Sequence, residues 1–146
     1  MAATTAVEAN QTLVRRLYEE FINGNDHDVL WEIYASDVVI HSAPGAEDLT
    51  GHDAIDQYVR GVNEAFPDMT ATIASMVAAD DLVAARITYT ATHEGEYMGI
   101  PATGETATWD GTVFFRIAGG KIAEAWPMID TLGLMQQLGV TELPSE

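Results

Sequence analysis

Asp130 has a residue type and a setting that suit proton transfer. It follows a predicted strand and shares the alternation of that strand with Trp126 and Met128. Proton transfer next to a carbonyl group needs a carboxylate that sits against an apolar lining, and we expect these two side chains to supply that lining. An aspartate directly before a helical segment is also a favoured N-cap. The sequence leaves both roles open.

Two histidines, His41 and His93, each end a predicted strand. An imidazole titrates near neutrality, so either could orient a carboxylate or polarise a substrate oxygen. The alternative for each is a side chain that only hydrogen-bonds the backbone at a strand end. No spacing of histidine and carboxylate residues resembles a metal site, and no phosphate-binding loop or nucleophile elbow occurs. We therefore predict catalytic residues Asp130, His41 and His93, with no metal and no cofactor.

Several aromatic residues fall on the apolar faces of their predicted elements. Such residues pack in the core, and in a domain with a cavity part of the core is also the pocket wall. The loop between Gly95 and Gly104 adds apolar side chains that could close over a ligand or contact a second chain. The predicted substrate-binding residues are Trp126, Trp109, Tyr18, Met128, Phe66 and Tyr58.

The elements that must position these residues follow from the periodicity. Spacing near 3.6 residues changes to alternation after Pro67. We predict helices at 7–22, 27–34, 52–66 and 132–138, a loop at 42–51, and strands at 38–41, 70–79, 82–93, 106–117 and 122–129. This order predicts one α+β domain, with a core at about 7–140, whose helices pack on one face of a curved antiparallel sheet around a closed-ended cavity.

Composition restricts the partners. The chain has 146 residues, 23 acidic and 6 basic side chains, a formal net charge of -17 and no cysteine. Nucleic acid and anionic membranes would be repelled, so we expect neither as a partner. Disulfides are excluded, and the first residues lack the pattern of a signal peptide, from which we expect a cytoplasmic protein. The single lysine, Lys121, on an acidic surface is typical of halophilic proteins, or of acidic proteins from high-GC genomes.

Several segments follow one another along the chain: LVRRLYEEFIN at 13–23, AFPD at 65–68, THEGEYMGIP at 92–101, TG at 103–104, GKIAEAW at 120–126, Asp130, and QLG at 137–139. In this order and at this spacing they resemble the SnoaL-like polyketide cyclases of the nuclear transport factor 2-like superfamily. The resemblance implies a conical α+β fold, with a curved, mostly antiparallel sheet wrapped around about three helices and an internal pocket. It also implies a homodimer.

The resemblance implies a cofactor-free lyase or isomerase that closes a ring in a small apolar carbonyl compound by an aldol step, with Asp130 as acid/base. The family often has a second acidic residue after the tryptophan, where this chain has Pro127. That departure supports a ligand-binding module without catalysis as the alternative. A third possibility is epoxide hydrolysis, which needs two carboxylates around a water, here Asp130 and Asp110.

Overall fold

The computed structural model describes residues 5–42 and 47–140, which form four α-helices and six strands. Helix α1 (Ala6–Arg16) begins at Thr5, whose hydroxyl accepts from the Glu8 N–H, and continues as a π-helix (Leu17–Asn23). A 3-10 turn (His27–Val29) leads into the short α2 (Leu30–Ile33). Helix α3 (His52–Ala65) and helix α4 (Thr131–Gln137) complete the set. No helix in this part of the chain has the length and apolarity to cross a membrane.

The six strands form a single sheet in the order β2-β1-β6-β5-β4-β3. The strands are β1 (Tyr34–Ile40), β2 (Leu49–Thr50), β3 (Thr70–Ala79), β4 (Leu82–Thr92), β5 (Thr106–Ala118) and β6 (Lys121–Ile129). Strands β3 to β6 are joined in antiparallel succession, whereas β1 pairs with β6 in parallel. The turn between β5 and β6 consists of Gly119 and Gly120, which both have positive φ. Positive φ at the two central residues lets a two-residue hairpin turn match the right-handed twist of its strands. The predicted α+β class is confirmed.

One face of the sheet, called here the inner face, is covered by the helices. Strand β5 alternates strictly between buried and exposed residues, and its buried set runs from Ala107 through Trp109 and Val113 to Ile117. Val113 and Ile117 belong to a core cluster with buried helix residues such as Phe21 and Ile55. Ala107 and Trp109 belong to a second cluster with Phe66 and Leu134. The opposite face, called the outer face, is open to solvent in the single chain. The sheet therefore separates a closed interior from a free surface.

Two side-chain amides pair with strand backbone where no neighbouring strand does. The Gln137 side chain accepts from the Thr108 N–H at 2.9 Å and donates to its carbonyl at 2.7 Å, beyond the end of the β5–β6 pairing. The Asn23 side chain makes the same two bonds, both at 2.7 Å, to Ala71 on the edge strand β3. The amides thereby hold α4 and the end of the π-helix to the sheet.

The predicted elements differ from the observed ones at two places. Strand β1 begins at Tyr34 rather than at Val38, because Tyr34 already pairs in parallel with β6. The sequence hides this start, since the adjacent residues Ser36 and Asp37 are both exposed and break the alternation of buried and exposed positions. Residues Leu49 and Thr50, predicted as loop, form β2 against the end of β1. The rest of that predicted loop falls in part at 43–46, outside the described residues.

Candidate active site

His93 follows β4 and is completely buried; it is the one buried polar or charged residue in the part of the chain that the structure describes. Its Nδ1 lies 3.0 Å from the Thr103 hydroxyl oxygen and accepts from the Thr103 N–H at 3.3 Å. Its Nε2 has no hydrogen-bond partner among residues 5–42 and 47–140. A buried polar atom without a partner costs folding free energy, so such an atom is a candidate for contact with a ligand.

An aromatic cluster surrounds this imidazole. The Phe66 ring lies 5.5 Å from the ring of His93, 5.1 Å from that of Tyr97 and 5.5 Å from that of Trp109, measured between centroids. The Tyr89 ring stacks on Trp109 at 5.7 Å. We call Phe66, Tyr89, Tyr97 and Trp109 the aromatic wall. The predicted residues Phe66 and Trp109 therefore both lie on the inner face, Phe66 next to His93 and Trp109 next to Phe66, where a planar apolar molecule could stack.

Four of the five tyrosines of the chain, Tyr18, Tyr34, Tyr89 and Tyr97, are buried or half-buried. Burial, followed by the neighbouring hydroxyls of Tyr89 and Tyr34, raises the pKa of Tyr18 well above its usual value. Burial is also the main cause that raises the pKa of Tyr89 and that of Tyr97, each to about 12, and Tyr58 contributes to both. Tyr58 itself is half exposed and stands at the rim. The phenols are therefore neutral at physiological pH and serve as hydrogen-bond donors.

Strand β6 directs its side chains differently from the prediction. Its alternation turns Ala125, Pro127 and Ile129 towards the inner face, and Pro127 pairs with the inward-facing Val113. Trp126 and Met128 point to the outer face, where they are 40% and 75% exposed. The predicted placement of Trp126 and Met128 inside the domain is wrong. Their shared alternation was correctly predicted, but it lies on the other face of the sheet.

Asp130 stands at the end of β6, one residue beyond Ile129, which packs against the cluster that contains Trp109. Its Oδ1 accepts from the Gly133 N–H at 2.9 Å, and the residue is the N-cap of α4. The predicted capping role is confirmed. The side chain is exposed, and its Oδ2 makes no hydrogen bond within the described residues. One carboxylate oxygen thus remains available at the surface, in a depression that Asp130 shares with Asp110 and the outward-facing Met128.

His41 lies on the outer face, apart from His93. Its Nε2 lies 2.6 Å from Glu124 and its Nδ1 3.1 Å from Asp48, and its ring stacks on Trp126 at 5.4 Å between centroids. Arg116 donates to the other oxygen of Glu124 at 3.0 Å. The hydrogen bond to Glu124, ahead of the charges of Asp48 and Glu124, raises the pKa of His41. Both ring nitrogens are engaged, so we interpret this histidine as part of an ion-pair network.

Two depressions mark the described surface. One, of about 510 Å³, lies between α1, the π-helix and β3, and includes Tyr18 together with polar side chains such as Arg15 and Glu19. The other, of about 260 Å³, includes Asp110, Met128 and Asp130. The two aspartates considered for epoxide hydrolysis share this second depression, but Asp110 accepts from the Thr88 hydroxyl and Asp130 caps α4. Within 5–42 and 47–140 no group of three or more metal-ligating side chains occurs.

The fold and this interior can now be compared with known proteins. A family profile for SnoaL-like polyketide cyclases matches residues 12–138. The chain belongs to the SnoaL-like polyketide cyclase family. No curated protein sequence matches it significantly.

Solved structures resemble the chain over nearly its full length. AclR from Streptomyces galilaeus, assigned as a hydroxylase, is 29% identical with a TM-score of 0.82, and the match covers 95% of this chain and 87% of AclR. IdmH from Streptomyces antibioticus, assigned as a polyketide cyclase, is 33% identical with a TM-score of 0.78 over 90% and 99% of the two chains. A SnoaL-like protein from Jannaschia sp. CCS1 is 19% identical with a TM-score of 0.84 over 97% and 100%, which supports the fold alone.

Sequence reasoning missed two parts of the site. Thr103 was noted only within the TG segment of the resemblance, and its loop position did not indicate that it holds the His93 ring. The gathering of the tyrosines was also missed, because Tyr34 and Tyr89 come from different elements and their hydroxyls meet only in the folded domain. The sequence shows five tyrosines and a single lysine, but this composition does not indicate which tyrosines come together in the fold.

Proposed function

We propose that this protein is a cofactor-free small-molecule cyclase that acts as a lyase or isomerase on an apolar carbonyl compound of the polyketide or ester type. The observation that carries the proposal is the buried, unpartnered Nε2 of His93 beside an aromatic wall. A hydrogen-bond donor in a dry interior stabilises a carbonyl oxygen that gains negative charge, and this effect is a large part of many enzymatic rate enhancements. The wall offers Trp109 and Phe66 as stacking surfaces for a planar substrate.

The proposed reaction is an intramolecular aldol closure. A proton leaves the carbon next to one carbonyl, that carbon bonds to a second carbonyl carbon of the same molecule, and the resulting alkoxide takes up a proton. Atoms and electrons balance without any oxidant or reductant. In this proposal the free Oδ2 of Asp130 receives the proton, and the N–H of His93 with the neutral phenol of Tyr89 binds the oxygen that becomes negative.

Access to His93 requires that the loop above it moves. Tyr97 covers Phe66 and is held by its edge contact and by paired backbone bonds with Ile100. Its neighbours Glu96 and Met98 are exposed, so little else anchors the turn. We propose that this turn opens to admit the substrate and closes over it, which would exclude water from the developing charge.

The proposed site is tested by two substitutions of His93. His93→Gln keeps an N–H donor, whereas His93→Phe keeps the size and removes it, and the matched control is His41→Gln on the outer face. Turnover of a panel of aromatic β-keto esters, each carrying a further ketone placed for ring closure, is followed by chromatography, because the cyclised product has the mass of the substrate. We expect His93→Phe to lower kcat by roughly 10²- to 10³-fold, as for loss of an oxyanion donor, and the control to leave it unchanged. Equal activity of His93→Phe and the control would reject the proposal.

A binding module without catalysis is the second candidate function. It is favoured by Pro127, which faces inward where the family often has an acidic residue, and by the lack of a buried carboxylate among the described residues. Calorimetric titration of the same esters separates the two functions. Binding that His93→Phe weakens, without conversion of any ester by the unchanged protein, would favour the module.

We also propose that the outer face binds a second copy of the chain. Val77, Ala84, Phe114 and Trp126 are consecutive partners across β3 to β6, and their row is continued by the exposed Met128. A contiguous apolar patch on a sheet suits an isologous contact between identical chains.

Light scattering should give twice the chain mass, and Phe114→Glu should give the single mass. Thr90→Glu, on the same face but outside the row, is the control and should stay dimeric; a monomeric unchanged protein would reject this proposal.

A further inference from the structure

We infer that Thr103 is a positioning residue that fixes the tautomer of His93, so that the site presents an N–H donor, and not a base, to its ligand. The inference rests on the proposed function for its catalytic consequence, but the tautomer can be measured independently. It concerns three atoms: Nδ1 of His93 and the backbone nitrogen and hydroxyl oxygen of Thr103.

The direction of each hydrogen bond follows from the donors available. The Thr103 backbone nitrogen can only donate, and it points at Nδ1 from 3.3 Å. The Thr103 hydroxyl oxygen already accepts from the Glu105 N–H at 3.2 Å, so its own proton is free for Nδ1 at 3.0 Å. Two donors therefore converge on Nδ1, which must be the unprotonated nitrogen. The ring proton then lies on Nε2, the atom that faces the interior without a partner.

The backbone around Thr103 keeps this arrangement in place. The His93 N–H donates to the Glu105 carbonyl at 2.9 Å, and the Gly104 N–H donates to the His93 carbonyl at 2.9 Å. The two ends of the loop are thus paired across the imidazole. The alternative tautomer would put an N–H at Nδ1 opposite the Thr103 N–H, and its one acceptor there would be the Thr103 hydroxyl oxygen, which already accepts from the Glu105 N–H. The loop geometry therefore selects one tautomer.

The loop is also fastened to the end of α3. The N–H groups of Glu94 and Gly95 both donate to the Ala65 carbonyl, at 2.9 and 3.1 Å. A Cβ at position 95 would clash with the Glu64 carbonyl oxygen, so only glycine permits this approach. Thr103 is consequently held by the fold and does not depend on a bound ligand for its position.

A chemical class of ligand follows from the fixed tautomer. An Nε2–H in an interior of neutral phenols pairs with an oxygen that only accepts, such as a ketone, ester or enolate oxygen. An ammonium group at that point would leave two donors facing each other, and an alcohol could accept this N–H only if its own proton found another acceptor. The site should therefore discriminate between a ketone and the corresponding alcohol.

The test is a long-range ¹H–¹⁵N correlation spectrum of the ¹⁵N-histidine-labelled protein at neutral pH. We expect His93 to show a protonated Nε2 and an unprotonated Nδ1. A protonated Nδ1 in the unchanged protein would overturn the inference, whether or not any variant folds. If the expected tautomer is found but His93→Phe keeps full activity, the proposed function fails and the tautomer assignment stands.

Thr103→Val and Thr103→Ser test the role of the hydroxyl. The valine variant loses one of the two donors to Nδ1, and we expect kcat to fall by roughly tenfold, the size of one hydrogen bond, while KM changes little. The Nδ1 resonance should also shift. The serine variant restores the hydroxyl and should recover both. A valine variant that folds and keeps the unchanged kcat and Nδ1 resonance would contradict the positioning role.

Discussion

The inner and outer faces of the sheet hold their histidines in opposite ways. On the inner face, His93 is completely buried, binds Thr103 through one nitrogen and leaves the other without a partner. On the outer face, the side chain of His41 is 33% exposed and both of its nitrogens contact carboxylates. The two residues share a type and a position at a strand end, yet only one of them has an unused polar atom.

This difference shows how a histidine that could bind a ligand can be distinguished in a structure from one that serves only a structural role. An exposed imidazole between two carboxylates has its hydrogen-bonding capacity satisfied by the protein, and its network is a structural feature of the surface. A buried imidazole with a free N–H carries an energetic cost that folding alone does not explain. A ligand that accepts a hydrogen bond from this N–H would therefore lower the free energy of the folded protein, and this N–H lies on the inner face.

The largest expected effect compares one phenylalanine on each side of the sheet. Phe66 is 1% exposed and contacts three rings of the interior, whereas Phe114 is 49% exposed. We expect Phe66→Ala to lower the free energy of unfolding by about 3–5 kcal/mol, as for a buried aromatic side chain. Phe114→Ala should lower it by less than about 1 kcal/mol. Urea unfolding, at a protein concentration at which light scattering finds only single chains, measures both losses. Equal losses would mean that the two faces are not distinct in the isolated chain.

The next prediction concerns Asp130, which lies between the end of β6 and the start of α4. Asparagine is as good an N-cap as aspartate but cannot take up a proton, so Asp130→Asn should keep the stability and lower kcat by roughly 10²-fold or more. Asp130→Ala should lose about 1 kcal/mol of stability as well. Unfolding curves and turnover of the keto esters are measured together. Full activity in the asparagine variant would leave Asp130 with its capping role alone.

The smallest effect is expected for the network on the outer face. The hydrogen bond to Glu124 raises the pKa of His41, and the bond to His41, followed by that to Arg116, lowers the pKa of Glu124. The contribution of His41 is complete below its ordinary pKa of 6.5 and is lost as the pH rises through the raised value. The contribution of Glu124 is complete above 4.5 and is lost as the pH falls through the lowered value.

The melting temperatures of the unchanged protein and of His41→Gln should therefore differ most between pH 4.5 and 6.5. The difference in melting temperature should become smaller above the raised pKa of His41. The difference that remains there is the pH-independent contribution of the stacking of His41 on Trp126. A difference that is constant across this range would show that the carboxylate contacts contribute nothing. Activity should not change with this substitution, since His41 lies on the outer face.

Much of the fold could be predicted because periodicity reports local conformation directly. The alternation of β5 placed Trp109 in the core, and Pro67 marked the end of α3. Alternation alone does not say which face of a sheet is covered, and this is why Trp126 and Met128 were assigned to the interior. The parallel pairing of β1 with β6 was equally hidden, since it depends on a contact between distant segments.

The candidate site was predicted only in part for the same physical reason. The type of His93 and its place at a strand end made it a candidate, but its free Nε2 depends on Thr103 and Phe66, which reach it from other segments. For Asp130, the favoured N-cap position was readable because capping is a local interaction within three residues. Interactions between neighbours in sequence were predictable, and those between distant elements were not.

The amides of Asn23 and Gln137 have one more consequence. Each side-chain amide provides one donor and one acceptor, as a peptide group does. Each lies at a point where the backbone N–H and C=O of a strand residue would otherwise have no partner strand. An exposed strand edge is a template on which other chains can add, and a side chain that occupies it shortens the available length. Asn23 and Gln137 thus reduce the length of strand edge on which another chain could add.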